Sequence, residues 1–217
     1  MLREAAAKFT QWIFGGTCLL CRGAAAQGLL CAACNADLPR LDGALCPRCA
    51  LPSAAGVICA RCIAHPPRFD GTVAALGYRF PADVLVHALK FRGELALAAL
   101  LGQLLAERIA PRPPVHFVVP VPLAARRLRE RGYNQALEIA RHVARATGTR
   151  LAHELCERAS NVRGAFRCAR MLDGATIAVL DDVMTTGATL DEVAAALKGA
   201  GASCVVNWVV ARTFPPD

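Results

Sequence analysis

The chain is 217 residues long, 55% hydrophobic and 19% charged, and its 25 Lys and Arg outnumber 17 Asp and Glu to give a formal charge of +8. That length suits one ordinary domain plus a small one, and no uncharged apolar run of about eighteen residues marks a helical membrane span. The positive balance favours a polyanionic ligand, either a nucleotide pyrophosphate or nucleic acid, without choosing between them.

Leu2, Ala5, Ala6, Phe9, Trp12 and Ile13 follow helical spacing, which predicts a short amphipathic helix within residues 1–17, packed on the protein's own body rather than on a membrane. Arg3, Glu4 and Lys8 interrupt this segment, so it does not have the pattern of a signal peptide. The expected compartment is a reducing cytoplasm, and the eleven cysteines then call for an explanation other than disulfides.

Eight of those cysteines fall in four Cys-x-x-Cys pairs: Cys18 and Cys21, Cys31 and Cys34, Cys46 and Cys49, Cys59 and Cys62. The first two pairs repeat as the last two with a period of 28 residues. A Cys-x-x-Cys turn presents two thiolates to one side of a metal, and two turns close a tetrahedral structural zinc site. Residues 18–65 thus read as a small duplicated zinc unit holding two Zn2+, too poor in apolar residues to fold without metal. The duplication favours one ion within each half, but a crossed arrangement satisfies the spacing equally. Cys156, Cys168 and Cys204 stand alone and read as small buried residues.

His65-Pro-Pro-Arg68 reads as a stiff linker into a larger domain, residues 70–214. There Thr72 to Arg79 predicts a strand, Asp83 to Lys90 a turn or two of helix, and residues 94–109 an alanine-leucine helix. Lys90 and Arg92 could face a phosphate, though exposed cations at a helix end are the commoner case. Val115 to Val119 predicts a second strand, and Pro120-Val-Pro122 follows it with Arg126, Arg127, Arg129 and Arg131 close behind. Ligands of open α/β sheets bind beyond strand carboxyl ends. Guanidinium forks there suit pyrophosphate oxygens, with a solvated basic helix face or an RNA or DNA contact as the alternatives. Tyr133 to Ala146 predicts a helix with Leu137, Ala140, Val143 and Ala144 inward, and Arg158 to Phe166 a loop.

Thr176 to Leu180 is a short β-branched and aliphatic run, hence a buried parallel strand, with Asp181 and Asp182 at its carboxyl end. From Thr189 the spacing turns helical, Thr189 and Glu192 reading as a capping box and Gly199 and Gly201 as stops. The loop between them runs into a helix N-terminus, whose unpaired N–H groups and dipole bind phosphate. Gly187 lets the backbone approach, Thr185, Thr186 and Thr189 offer hydroxyls, and the two carboxylates can accept from ribose hydroxyls and attract a metal. A last strand spans Cys204 to Val210.

The run Asp181-Asp-Val-Met-Thr-Thr-Gly-Ala-Thr189 resembles the phosphoribosyl pyrophosphate (PRPP) loop of type I phosphoribosyltransferases. With the cysteine pairs, Leu89-Lys-Phe-Arg-Gly93, Pro120-Val-Pro122, Arg131-Gly-Tyr-Asn-Gln135 and Arg158-x-x-Asn161, residues 18–213 resemble the ComF family tied to natural competence. The resemblance implies an α/β fold, a mainly parallel sheet with flanking helices, preceded by a double zinc ribbon. It implies that Asp181 and Asp182 are catalytic, orienting ribose and Mg2+. Thr185, Thr186, Gly187, Ala188 and Thr189 would hold the 5-phosphate, and Arg126, Arg127 and Arg131 the pyrophosphate. The implied partners are PRPP or another phosphoribosyl ligand, with single-stranded DNA or competence-machinery proteins beside it. One family element is absent. The longer Thr-x-x-Gln loop before Arg158 is replaced by Leu151 to Glu157, so the resemblance carries ligand binding further than transfer to an acceptor.

Overall fold

A computed structural model describes residues 16–26, 28–158 and 166–215; the N-terminal helix read from residues 1–14 and the interior of the loop read from Arg158 to Phe166 lie outside the described residues. The order of elements is β1 (Gly16–Thr17), β2 (Ala24–Ala25), α1 (Ala32–Ala36), α2 (Ala60–Ala64), β3 (Gly71–Gly77), α3 (Ala82–Phe91), α4 (Ala96–Ile109), β4 (Phe117–Pro120), α5 (Ala125–Arg131), α6 (Gln135–Thr147), β5 (Arg150–Leu151), β6 (Cys156–Arg158), β7 (Phe166–Cys168), β8 (Thr176–Met184), α7 (Ala188–Gly199) and β9 (Cys204–Arg212).

The apolar runs at β4, β8 and β9 and the small-residue run at β3 form a five-stranded sheet in the order β3-β9-β8-β4-β5, every pair parallel. Side chains alternate across it. Ala178 and Leu180 of β8 face one apolar cluster with Leu85, Leu101, Ile139 and Trp208, while Ile177 and Val179 face a second with Leu190, Val193 and Val209. Helices α3, α4 and α6 cover the first face and α7 the second. At Gly102 of α4 a Cβ would stand 2.8 Å from the Cβ of His142, so glycine is what lets α4 and α6 meet closely. Among the described residues no helix is long and apolar enough to cross a membrane.

The cysteine repeat straddles the edge of this sheet. Between its halves, Pro39 to Leu41 runs antiparallel along β3: Gly77 N–H donates to the Pro39 carbonyl at 2.7 Å, and Leu41 N–H to that of Ala75 at 3.1 Å. This covers an edge that would otherwise offer unpaired backbone. The first half, with Cys18, Leu30 and Leu38, joins the cluster on one face; the second, with Cys46, Cys49, Leu51 and Cys62, joins the cluster on the other. The His65 to Arg68 segment is tied down at its carboxyl end, Arg48 Nη1 donating to the Pro67 carbonyl at 3.4 Å and Arg68 pairing with Asp191 at 3.3 Å.

Several elements differ from the sequence expectations for identifiable reasons. Strand β8 runs through Asp181 and Asp182 to Met184, because β9 also continues to Arg212 and pairs with it residue by residue, Met184 opposite Arg212. The two acids therefore stand in the sheet, not on a loop. Helix α6 turns Ala136, Ile139, Ala140, Val143 and Ala144 inward, leaving Leu137 half-buried, because Asn134 caps it and sets its phase. The capping box expected at Thr189 and Glu192 is not made: Gly187, at φ +87°, is the N-cap and the helix opens at Ala188. Arg158 and Phe166 end paired strands, β6 and β7, rather than a featureless loop.

Candidate functional site

Three elements converge at the carboxyl ends of β4 and β8. From β8, Asp181 is half-buried and Asp182 is 7% exposed; the Asp182 N–H donates to Asp181 Oδ1 at 2.9 Å. Burial, then the neighbouring Asp182 carboxylate, pushes the Asp181 carboxyl up to about 7, against the opposing pull of the Asp182 N–H and Lys90. Asp182 has a cation of its own: Lys90 Nζ lies 3.0 Å from its Oδ1. A buried carboxylate needs such a partner, and α3 supplies it, anchored by buried Leu85, Val86 and Leu89.

The Arg131 to Gln135 motif is the joint that sets the cleft's width. Gly132, at φ +79°, ends α5 in the left-handed region that favours glycine. The Tyr133 hydroxyl donates to the Leu89 carbonyl at the end of α3. Asn134 accepts from the N–H of Ala136 and donates to the Val121 carbonyl, both at 3.0 Å, so it caps α6 and fixes the Pro120-Val-Pro122 turn at once. Gln135 accepts from Arg131 Nη1 at 3.0 Å, and the Arg131 guanidinium lies 4.8 Å over the Phe91 ring.

Together these elements enclose a cleft of about 210 Å3 whose lining includes Lys90, Pro122, Arg127, Arg131, Gln135, Arg158, Asp181, Asp182 and Thr189. Of the residues singled out from sequence, Asp181, Asp182, Thr189, Arg127 and Arg131 thus meet in one space. Arg126 stands outside this lining, its side chain 84% exposed and paired with Glu130 at 2.7 Å. Thr185 is exposed. Thr186, Gly187 and Ala188 line a neighbouring cavity of about 510 Å3, between α7 and the second cysteine unit, with Arg61, His65, Phe69, Met184 and Arg212. The Thr186 hydroxyl accepts from the Ala188 N–H at 3.3 Å. Lys90, for which the sequence left a phosphate-facing position beside an exposed helix end, proves to be a cleft residue.

The eight paired cysteines gather as two groups, Cys18, Cys21, Cys31 and Cys34 in one and Cys46, Cys49, Cys59 and Cys62 in the other, with ligand atoms in each within 4.8 Å of one another. This removes the crossed arrangement. Sulfurs accept from backbone N–H groups as metal-bound thiolates do, Cys21 from Gly23 at 3.4 Å and Cys46 from Cys59 at 3.4 Å. The N–H groups of Cys21 and Cys31 carry the Cys18 thiol down to about 6. Burial raises Cys46, but the N–H groups of Cys59, Cys49 and Arg48 overcome it and leave that thiol at about 7. Each group thus holds a readily ionised thiol in a four-sulfur set, which fits a closed structural zinc site. The three remaining cysteines are free; Cys156 is buried opposite Cys168 across β6 and β7, and Cys204 is half-buried.

Comparison with known proteins agrees with both halves. The double zinc ribbon domain family matches residues 9–63, and the phosphoribosyl transferase domain family matches residues 105–213. The DNA utilization protein YhgH of Salmonella typhi is 34% identical over 165 residues, which cover 65% of this chain and 72% of that protein. Competence protein F of Haemophilus influenzae is 27% identical over 159 residues, 62% of this chain and 69% of that protein. Among solved structures, a purine phosphoribosyltransferase from Pyrococcus horikoshii aligns with a TM-score of 0.36 at 17% identity, over 66% of this chain and 88% of that one.

Proposed function

The chain belongs to the phosphoribosyl transferase domain family, with a double zinc ribbon ahead of that domain, and from that premise we propose that its cleft binds PRPP together with Mg2+. The observation that carries this reading is the meeting of a carboxylate pair, two arginines and Thr189 of the first turn of α7 around one cleft of about 210 Å3, with the N-terminal turn of that helix lining the neighbouring cavity. Asp181 and Asp182 accept hydrogen bonds from the ribose hydroxyls. Residues Thr185 to Thr189 hold the 5-phosphate through backbone N–H groups and hydroxyls. Arg127 and Arg131 hold the pyrophosphate. Bound Mg2+ would supply positive charge to the polyphosphate, held through the two carboxylates.

In a transfer reaction the bond between ribose C1 and the pyrophosphate oxygen breaks, pyrophosphate leaves with the electron pair, and an acceptor attacks C1. The chain's residues serve this by fixing the sugar and neutralising the departing charge. Lys90 adds to that neutralisation, since its ammonium, 3.0 Å from Asp182, lines the same cleft as Arg127 and Arg131. Arg158, whose guanidinium lies 5.0 Å over the Phe166 ring, brings a further cation from the β6 side.

A second reading is a competence role in holding single-stranded DNA. It is favoured by the formal charge of +8 and by Arg126 and Arg129, exposed on α5. The names of the two relatives point the same way. Calorimetry separates the readings. PRPP should bind in the presence of Mg2+ and be displaced by inorganic pyrophosphate. Failure of PRPP to bind, with steeply salt-dependent binding of an oligonucleotide, would favour the DNA reading instead.

A further inference from the structure

Arg212 closes β9 and is 2% exposed, yet no carboxylate pairs with it among the described residues. Its guanidinium instead gathers backbone carbonyls. Nε donates to Cys49 at 2.8 Å; Nη1 donates to Met184 at 3.0 Å, to Thr213 at 2.7 Å and to Thr185. Cys49 belongs to the second cysteine group. Met184 and Thr185 are the last strand residue and the first loop residue before the Thr186-Gly187 turn. One buried cation thus connects a metal site to the segment that aims the N-terminus of α7.

The segment is held from a second direction as well. A Cβ on Gly187 would lie 2.7 Å from Met184 Cε, so the Met184 side chain is pressed directly beneath the turn whose carbonyl neighbours Arg212 grips. The first cysteine group sits on the opposite face of the sheet, in the other apolar cluster. Its cysteines have no corresponding link to residues 184–189 among the described hydrogen bonds.

We propose that Arg212 is a positioning residue that couples the second zinc site to the phosphate-binding loop. Zinc in the second site fixes the Cys49 carbonyl, the guanidinium transmits that fixity to Met184 and Thr185, and the N–H groups at the start of α7 are held ready for a phosphate. The two zinc ribbons, identical in motif, therefore differ in consequence: only the second tunes ligand affinity. This rests on the reading of residues 185–189 as the 5-phosphate site.

Two measurements test it, one independent of any ligand. Cys59→Ser removes one ligand of the second site and leaves Arg212 intact. Hydrogen exchange across residues 185–189 should then speed up by about tenfold, within the range usual for coupling between sites. Cys21→Ser in the first site should speed exchange across residues 16–38 and not across 185–189. Arg212→Lys keeps the charge but loses the planar fork. It should retain both zinc ions while its affinity for ribose 5-phosphate, measured by calorimetry, falls by about tenfold. Exchange across 185–189 that stays at the wild-type rate in Cys59→Ser would overturn the coupling, as would Arg212→Lys that binds ribose 5-phosphate like the wild type. If loop exchange responds to the second site in a protein that binds no ribose 5-phosphate, the coupling stands and the ligand assigned to the loop is wrong.

Discussion

Asp181 and Asp182 ride on β8, which is flanked by β4 on one side and β9 on the other, whereas Arg127 and Arg131 stand on α5, a seven-residue helix that buries no side chain. At the acid end, the backbone is fixed by the sheet, one carboxylate already has its cation, and burial has shifted the titration of the other. At the arginine end, Arg131 is steadied by Gln135 and the Phe91 ring, and Arg127 is exposed. The acid end is therefore held by the fold alone, and under the proposed reading the arginine end would complete itself around the ligand's charge. Such a division suits a ligand whose sugar must be oriented and whose pyrophosphate must be let go.

The largest effect should come from breaking the organised end. Replacing both Asp181 and Asp182 with Ala should weaken Mg2+-dependent PRPP binding by more than about a hundredfold, since each carboxylate makes charge-assisted contacts; binding within a few fold of wild type would refute their role. The single variants should differ in stability. Asp182→Ala leaves the Lys90 ammonium, 20% exposed, without its partner and should cost roughly 1.5 to 3 kcal/mol. Asp181→Ala removes a carboxylate whose ionised form the fold disfavours, so above neutral pH it should be at least as stable as wild type. Urea denaturation of both at pH 8 makes the comparison.

That contrast between neighbours explains how much could be read from residues alone. The strand, the acid pair and the cysteine repeat are local patterns, and a short β-branched run or a spaced thiol pair keeps its meaning wherever the chain goes. The eventual extent of β8 was not local: the apolar run stops at Leu180, but β9 continues to Arg212 and carries both acids into the sheet. The role of Arg212 and the partner of Lys90 were hidden for the same reason, because both depend on other elements, Asp182 for the lysine and the carbonyls of Cys49 and Met184 for the arginine. An arginine ending a strand whose only other polar side chain is Asn207 was the available signal. The repeat gave no hint that its halves lie on opposite faces, since nothing in Cys-x-x-Cys spacing encodes the strand edge that Pro39 to Leu41 wraps. Thr189 and Glu192 imitate a capping box, but a left-handed Gly187 opens the helix first.

A smaller effect sharpens the comparison through pH. The Asp181 carboxyl is raised to about 7 from an ordinary 3.8. Between these values the native chain keeps a proton that the unfolded chain has lost, so this group's contribution to stability should fall as pH rises across that window and level off above it. Ligand binding should run the other way. A bound Mg2+ or ribose hydroxyl needs the ionised carboxylate, so PRPP with Mg2+ should bind about tenfold more tightly at pH 8 than at pH 6. Asp181→Asn should flatten the profile; a slope unchanged in that variant would assign the titration elsewhere.

The central claim is that the two ends of the cleft hold the two ends of one ligand. It is tested most directly by titrating PRPP and ribose 5-phosphate, each with Mg2+, against the wild type and a variant with Arg127→Ala and Arg131→Ala. Each lost charge-assisted contact is worth about 1.5 to 3 kcal/mol, so PRPP should weaken roughly a hundredfold to ten-thousandfold if the two add. Ribose 5-phosphate, which lacks the group these arginines touch, should bind the variant within about threefold of wild type, the variation expected of an untouched site. Equal weakening of the two ligands would contradict the account.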